Sequence, residues 1–149
     1  MIIAGIDCGY KTGGVGLVGD GWVEVHDLPT YSEGGLNSLA LADILESVDV
    51  DHVVIESQQA MPQQGVSSTF KLGMGYGQIT ATVAMTRIPF TIVTPAKWKR
   101  AMNLPKDKDA ARRLATQWYP AIADQLKRKK DEHRAEALLI ATYYNGGRV

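Results

Sequence analysis

Two predicted strands of this chain end on an acidic residue, and a third acid lies near the start of a predicted helix. Asp7 ends the apolar run at the N-terminus, Glu56 ends the run that begins at His52, and Glu136 precedes the apolar segment 137–141. A buried, unpaired carboxylate costs several kcal/mol unless a metal ion or a counter-charge compensates it. Each acid alone is also explained by a turn or a helix start. The three together favour a site for divalent cations.

Such a site suits phosphate chemistry. Mg²⁺ prefers an octahedron of oxygen ligands, usually one or two carboxylates with waters and phosphate oxygens. Two ions about 3.5–4 Å apart can activate a water and stabilise the leaving oxygen of a phosphodiester. The residues therefore predict that Asp7, Glu56 and Glu136 hold Mg²⁺, with Mn²⁺ as a substitute and two ions in the site.

Two neighbouring residues compete for a fourth place in this site. Glu132 and His133 lie four and three residues before Glu136, and both spacings share one face of a helix. Glu132 would add a metal ligand, whereas the imidazole of His133 could position or deprotonate a water. The spacing leaves both candidates open.

The charge of the chain is zero overall but uneven along its length. Residues 1–96 hold three lysines and arginines against ten acids, and residues 97–149 hold thirteen against six. This asymmetry favours a polyanionic partner, with a pair of solvated helices as the plain alternative. The basic residues predicted to contact DNA phosphates are Lys71, Lys97, Lys99, Arg100, Lys106, Lys108, Lys129 and Lys130. We expect Trp98 to pack in the core. Phe70 and Met61 are candidate apolar wedges for bent DNA, although core packing is favoured for Phe70.

The hydrophobic periodicity predicts alternating strands and helices. Strands are expected over 1–7, 13–18, 22–27, 52–56 and 90–94, and helices over 36–48, 67–85, 95–103, 108–119 and 132–144. Short Gly-rich links make the first three strands an antiparallel meander. Ser67 and Ser68 can cap the second helix. Its Gly73, Gly75 and Gly77 cost about 1 kcal/mol each, which favours close packing against another helix over close approach of a nucleic-acid backbone.

The length of 149 residues fits one domain, 1–149. No window approaches the roughly 20 apolar residues of a membrane span, and the N-terminus does not read as a secretion signal. The single cysteine cannot form an internal disulfide. The chain is therefore expected in a reducing, cytoplasmic setting.

The order of these elements and acids resembles the RNase H-like nuclease fold, and more closely the RuvC family of Holliday-junction resolvases, in particular its small phage-type members. Four segments spanning nearly the whole chain carry the resemblance: 5–9 with Asp7, 54–56 with Glu56, 70–77 with the three glycines, and 134–141 with Glu136. Cys8 stands where Pro or Ser is more usual, and Glu136 replaces a frequent Asp. The implied fold class is α/β, RNase H-like, with a five-stranded mixed sheet flanked by helices.

The resemblance implies a crossover junction endodeoxyribonuclease that acts as a homodimer on branched DNA in recombination and repair, in a bacterial or phage-infected cytoplasm. Asp7, Glu56 and Glu136 match the acids of the family, and His133 is favoured over Glu132 because some members use His at that position. The helix at 67–85 would help form the dimer face. The alternatives are an RNase H-like nuclease for flap or RNA–DNA hybrid substrates, a junction-binding protein without activity and, last, an actin-like ATPase.

Overall fold

A computed structural model describes residues 1–146 of the chain, which form one mixed five-stranded sheet with helices on both faces. The strands are β1 (Ile3–Asp7), β2 (Gly14–Gly19), β3 (Trp22–Asp27), β4 (His52–Glu56) and β5 (Phe90–Val93). The helices are α1 (Ser38–Ser47), α2 (Val66–Met85), α3 (Pro95–Ala101), α4 (Ala110–Trp118) and α5 (Glu132–Tyr144). The order of strands across the sheet is β3-β2-β1-β4-β5. The predicted five-stranded mixed sheet with flanking helices is confirmed.

The sheet combines two kinds of strand pairing. β1 pairs antiparallel with β2, and β2 with β3, so the predicted meander is confirmed. β4 crosses over to lie parallel to β1, and β5 lies parallel to β4. β1 is buried along its whole length because it has a strand on each side and helices above and below.

Two hydrophobic clusters cover the two faces of the sheet. On one face, Val54 and Val93 pack with Trp98 of α3 and Leu138 of α5. The cluster on the other face contains buried side chains of α1 and α2 together with strand residues. The buried members contributed by these two helices and the strands under them include Leu41, Leu45, Ile79, Val83, Val53 and Ile55. The sheet is thus the middle of three layers.

The segment before α5 differs from its prediction. Short 3₁₀ helices occupy Pro120–Leu126 and Lys129–Asp131, where the sequence pattern gave no element. Asp131 is buried, and the Arg128 guanidinium beside it lowers the pKa of its carboxyl despite burial. This local ion pair fixes the chain immediately ahead of the first residues of α5.

The long helix α2 corrects three predictions. It begins after Gly65, which makes no side-chain cap, so Ser67 and Ser68 do not cap it. Phe70 is 67% exposed and does not pack in the core. Gly75 is the glycine that permits close packing, because a Cβ there would lie 3.1 Å from the carbonyl oxygen of Gly9 in the loop after β1. The contact is with this loop and not with a helix.

Within the described residues, no helix is long and apolar enough to cross a membrane.

Candidate metal centre

Asp7 and Glu56 come together because their strands are parallel neighbours. Ile6 of β1 is paired with Ile55 of β4, so the acid that follows each of them lies at the same edge of the sheet. Both residues are buried, with 5% of their surface exposed. The apolar strands thus carry two acids into the interior at one place, as their sequences predicted.

Glu136 reaches the same place from α5, which lies unusually close to the sheet. A Cβ at Gly14 of β2 would lie 2.2 Å from the carbonyl oxygen of His133, and one at Gly5 of β1 would lie 2.1 Å from that of Ala137. Only bare glycine admits a helix backbone at this distance. Carboxylate oxygens of Asp7, Glu56 and Glu136 consequently all lie within 4.8 Å of one another.

The electrostatics of this cluster fit a divalent cation. Burial, followed by the charge of Asp7, raises the pKa of Glu56 to about 7. Burial and the same neighbour raise the pKa of Glu136. Three carboxylates at this separation repel one another, and oxygen donors are the ligands that Mg²⁺ and Mn²⁺ prefer. The donor set therefore matches the hard cation expected from the sequence.

His133 lies beside the cluster, on the first turn of α5. Its Nδ1 is 2.8 Å from Oδ2 of Asp7, and its side chain is 40% exposed. The hydrogen bond to Asp7 raises the pKa of the imidazole. His133 therefore has one ring nitrogen on an acid of the cluster while the side chain remains accessible from solvent.

Glu132 lies outside the group of three acids and pairs with a different partner. Its Oε2 is 3.5 Å from Nε of Arg112 in α4. Burial, followed by the charge of Glu136, raises the pKa of Glu132 to about 7. Arg112 also donates to the carbonyl oxygens of Leu126 and Lys127, which ties α4 to the segment ahead of α5. The two candidates for the fourth position thus have different surroundings.

Helix α3 supplies two contacts to the cluster that the sequence did not reveal. Trp98 is fully buried, as expected, and its indole Nε1 donates to Oε2 of Glu56 at 2.5 Å. Lys99, predicted to contact DNA, has its Nζ 3.4 Å from Oε1 of Glu136. The sequence offered one clue to the Trp98 contact: a buried tryptophan usually finds an acceptor for its N–H.

A cavity of about 800 Å³ adjoins Glu136, and its wall carries basic side chains together with the acids Asp107 and Asp109. Its wall includes Glu132, His133 and Glu136 on one side. The predicted DNA-contacting residues that line it are Lys99, Arg100, Lys106, Lys108 and Lys129. A cavity with cations around an acidic cluster can hold a phosphate backbone against bound metal ions.

The remaining three predicted DNA contacts lie outside this cavity. Lys71 is exposed on α2, Lys97 is exposed on α3, and Lys130 is exposed in the 3₁₀ segment before α5. Met61, the candidate wedge, is 59% exposed in the loop after β4.

Comparison with known proteins identifies the fold. No protein-family model matches the sequence, and neither does any curated protein. The structure is similar to RuvC of T. thermophilus in complex with a Holliday junction substrate, with a TM-score of 0.70, 21% sequence identity, and coverage of 99% of this chain and 96% of that one. The yeast mitochondrial Holliday junction resolvase gives a TM-score of 0.61 at 18% identity, covering 95% of this chain and 76% of that one.

A viral resolvase belongs to the same group of structural neighbours. The fowlpox virus Holliday junction resolvase gives a TM-score of 0.59 at 15% identity, covering 99% of both chains. The chain therefore has the RNase H-like fold. Within that fold class the chain has the architecture of RuvC-type resolvases, so the resemblance noted in the sequence is confirmed at the level of fold.

Proposed function

We propose that this chain is a crossover junction endodeoxyribonuclease, which resolves four-way DNA junctions by paired hydrolysis of phosphodiesters. The observation that carries the proposal is the meeting of Asp7, Glu56 and Glu136, in a resolvase fold, next to a cavity that five lysines and arginines help to line. The T. thermophilus and fowlpox proteins were both solved with junction DNA. The whole chain, 1–149, would act as a single nuclease domain in the cytoplasm of a bacterium or a phage-infected host.

The three acids would hold Mg²⁺, or Mn²⁺ in its place, with two ions in the site. When bound, such ions activate a water and stabilise the leaving oxygen of the phosphodiester. The roles of the chain's own groups follow from their positions. Asp7 and Glu56 supply charge from rigid strand ends, and Lys99 neutralises Glu136 when no other cation is near.

His133 is the better candidate for the fourth position. Its imidazole contacts Asp7 and is accessible from the cavity, so it can orient a water or move a proton at Nε2. Glu132 pairs with Arg112 and lies outside the three-acid group. Glu132 would then help to shape the cavity wall beside Arg112, whose guanidinium also pairs with Asp109.

The predicted DNA contacts divide by position. Lys99, Arg100, Lys106, Lys108 and Lys129 would hold the cleaved strand, because they line the cavity that contains Glu136. Lys71, Lys97 and Lys130 are exposed beyond it and would contact other arms of the junction. Phosphate contacts of this kind fix the position of the substrate without reading its sequence.

A homodimer would supply the second cut, and the outer face of α2 is our candidate for the dimer interface. The side of α2 opposite its buried residues carries no charged side chain. Its exposed apolar and small residues, which follow one another at helical spacing, are Val66, Phe70, Gly73, Met74, Gly77, Ala81, Ala84 and Met85. An uncharged outer face this long on a surface helix favours burial against a second copy, and twofold symmetry directs one site at each strand.

One assay tests the proposal. Purified protein is incubated with labelled four-way junction, flap, RNA–DNA hybrid and plain duplex, with and without Mg²⁺. We expect symmetric paired cuts in the junction that require the metal ion. Preferential cutting of the flap or hybrid would instead favour a different RNase H-like nuclease, and binding of the junction without cleavage would indicate an inactive junction-binding protein.

A further inference from the structure

The indole of Trp98 makes a long-range contact with one of the three acids. Trp98 lies on α3 and is completely buried, and its Nε1 donates to Oε2 of Glu56 at the end of β4. The two residues are 42 positions apart in the chain, so the bond is a product of the fold. A hydrogen bond to an ionised acceptor is about twice as strong as a neutral one.

The donor in this contact is held still. Pro95 occupies the first turn of α3, and the Thr94 hydroxyl accepts from the backbone N–H of Lys97. The ring of Trp98 belongs to the core cluster that includes Val54 and Val93. Because the indole is packed on all sides, its N–H points in a fixed direction toward Glu56.

The backbone of Glu56 is also fixed, so only its side-chain torsions can change the direction of the carboxylate. β4 pairs with strands on both sides, and the Cys8 thiol donates to the backbone oxygen of Glu56 at 3.4 Å. The neighbouring charges of Asp7 and Glu136 push the carboxylate away from the cluster. The bond from Trp98 holds one carboxylate oxygen, Oε2, against this repulsion and leaves other lone pairs of the carboxylate available.

An indole suits this task because it neither carries a charge nor binds a hard cation. Lys99, on the same helix, neutralises Glu136 and must give way when a metal ion approaches. Trp98 can keep its bond to Glu56 while the acid acquires a ligand. We propose that Trp98 is a positioning residue, which orients the Glu56 carboxylate for metal binding; this inference rests on the proposed nuclease function.

Calorimetric titration of the full chain with Mn²⁺ tests the inference without a cleavage assay. Trp98→Phe keeps an aromatic ring and removes the N–H, and we expect it to weaken Mn²⁺ binding by about 10- to 100-fold. Trp118→Phe is the matched control, since Trp118 is 38% exposed and lies outside this cluster; it should bind as the wild type does. Adding Trp98→Phe to Glu56→Gln should cause little further loss, because the first change acts through Glu56.

Indole NMR signals of ¹⁵N-labelled protein provide a second measurement that leaves Trp98 in place. The signal of Trp98 is the one that persists when Trp22 and Trp118 are both replaced by Phe. We expect it to shift on Glu56→Gln and on addition of Mg²⁺, which is diamagnetic, to the wild type. A Trp98 signal unmoved by Glu56→Gln would overturn the inference, as would a folded Trp98→Phe protein with wild-type Mn²⁺ affinity. A wild type that binds no Mn²⁺ would instead remove the metal centre on which the proposed function depends.

Discussion

At the residue scale, one substitution removes the charge of Asp7 and keeps the size of its side chain. Asp7→Asn keeps an acceptor for His133 and removes one carboxylate from the cluster. We expect cleavage of a four-way junction to fall by at least about 10²–10³-fold, the scale of losing one well-placed electrostatic contact. Junction binding should hold or tighten, because the basic residues proposed to contact phosphate line the neighbouring cavity, whose wall does not include Asp7. Single-turnover cleavage and gel shifts on one labelled junction measure both quantities.

The same variant distinguishes a functional acid from a structural one. Removing one of three mutually repelling carboxylates should leave thermal stability without Mg²⁺ equal to or above that of the wild type. A variant that cleaves at a near wild-type rate would refute the assignment of Asp7. A large loss of stability would identify Asp7 as a structural acid.

His133 and Glu132 can be told apart by parallel substitutions. His133→Ala removes the contact with Asp7, and we expect cleavage to fall by about 10²–10⁴-fold at every pH, the usual contribution of a general acid or base. Glu132→Gln keeps the size of a side chain that faces Arg112, so most cleavage should remain. Rates from pH 6 to 9 at saturating Mg²⁺ give the comparison. The reverse order of effects would move the fourth position to Glu132.

The raised pKa of Glu56 predicts how stability depends on pH without metal ions. Burial and Asp7 raise this pKa from 4.5 to about 7 in the folded chain, which corresponds to about 3 kcal/mol. The folded state favours the protonated form of Glu56. Its contribution to the free energy of unfolding is therefore fully present below pH 4.5 and is lost as pH rises through 7. Glu56→Gln should therefore be more stable than the wild type at pH 8 by up to about 3 kcal/mol, with little difference at pH 4.5.

Urea denaturation in EDTA between pH 4.5 and 8 measures this difference, and repeating it with Mg²⁺ supplies the control. A bound cation replaces the lost proton, so Mg²⁺ should restore the stability of the wild type at pH 8 and leave Glu56→Gln nearly unchanged. Equal pH profiles for the two proteins in EDTA would mean that the charge of Glu56 is already compensated in the fold.

At the element scale, the position of α5 depends on bare glycine in the strands beneath it. A methyl group at Gly14 would meet the carbonyl oxygen of His133, so Gly14→Ala must lift α5 or bend β2. We expect a loss of about 1–3 kcal/mol, typical of an overpacked core, together with reduced cleavage because Glu136 moves away from Asp7. Denaturation in urea and the junction assay measure the two effects.

Gly73→Ala is the matched control for this substitution. Its Cβ would meet nothing within 4 Å, and it lies inside a helix, where Ala is more favourable than Gly by roughly 0.5–1 kcal/mol. The control should therefore gain stability where Gly14→Ala loses it. Equal stability of the two variants would mean that α5 can shift at no cost, and that the close contact at Gly14 does not fix its position.

Much of this architecture was predictable because single strands and helices carry their own pattern. The strand His52–Glu56 and the helix Glu132–Tyr144 have the predicted bounds, since dense apolar runs and helical periodicity are local signals. The acids at two strand ends pointed to a shared edge because parallel neighbours bring their carboxyl ends together. Element type and the three acids therefore followed from short stretches of sequence.

The contacts that refine the site were not predictable in this way. Trp98 was expected in the core, but the acceptor of its N–H lies 42 residues away and depends on how α3 docks. The glycines of α2 gave a second example. Gly73 and Gly77 are four residues apart and share one face of α2, whereas Gly75 lies on the opposite face. Only the docked helix reveals that Gly75 faces Gly9 and that the other two face open space. Local periodicity contains no such information.

At the scale of the whole molecule, the uncharged outer face of α2 governs the expected assembly. Gly75→Leu would not test it, because the new side chain would collide with the loop after β1 inside one chain. Phe70 is 67% exposed in the middle of that face and can accept a charge without disturbing the fold. In the proposed dimer, Phe70→Glu would place a charge from each protomer in the apolar interface, at a cost that rises as the interface excludes water.

We therefore expect Phe70→Glu to convert a dimer into a monomer of unchanged stability. Light scattering with size-exclusion chromatography measures the mass, and a junction labelled on two strands separates paired cuts from single nicks. Paired cuts should fall much more than total nicking, since each protomer keeps its own acids. Tyr31→Glu is the control, because Tyr31 is 58% exposed on a loop outside α2 and should stay dimeric. A wild type that is strictly monomeric and still makes paired, symmetric cuts would refute the twofold mechanism, whereas a monomer making single nicks would favour a flap or hybrid nuclease.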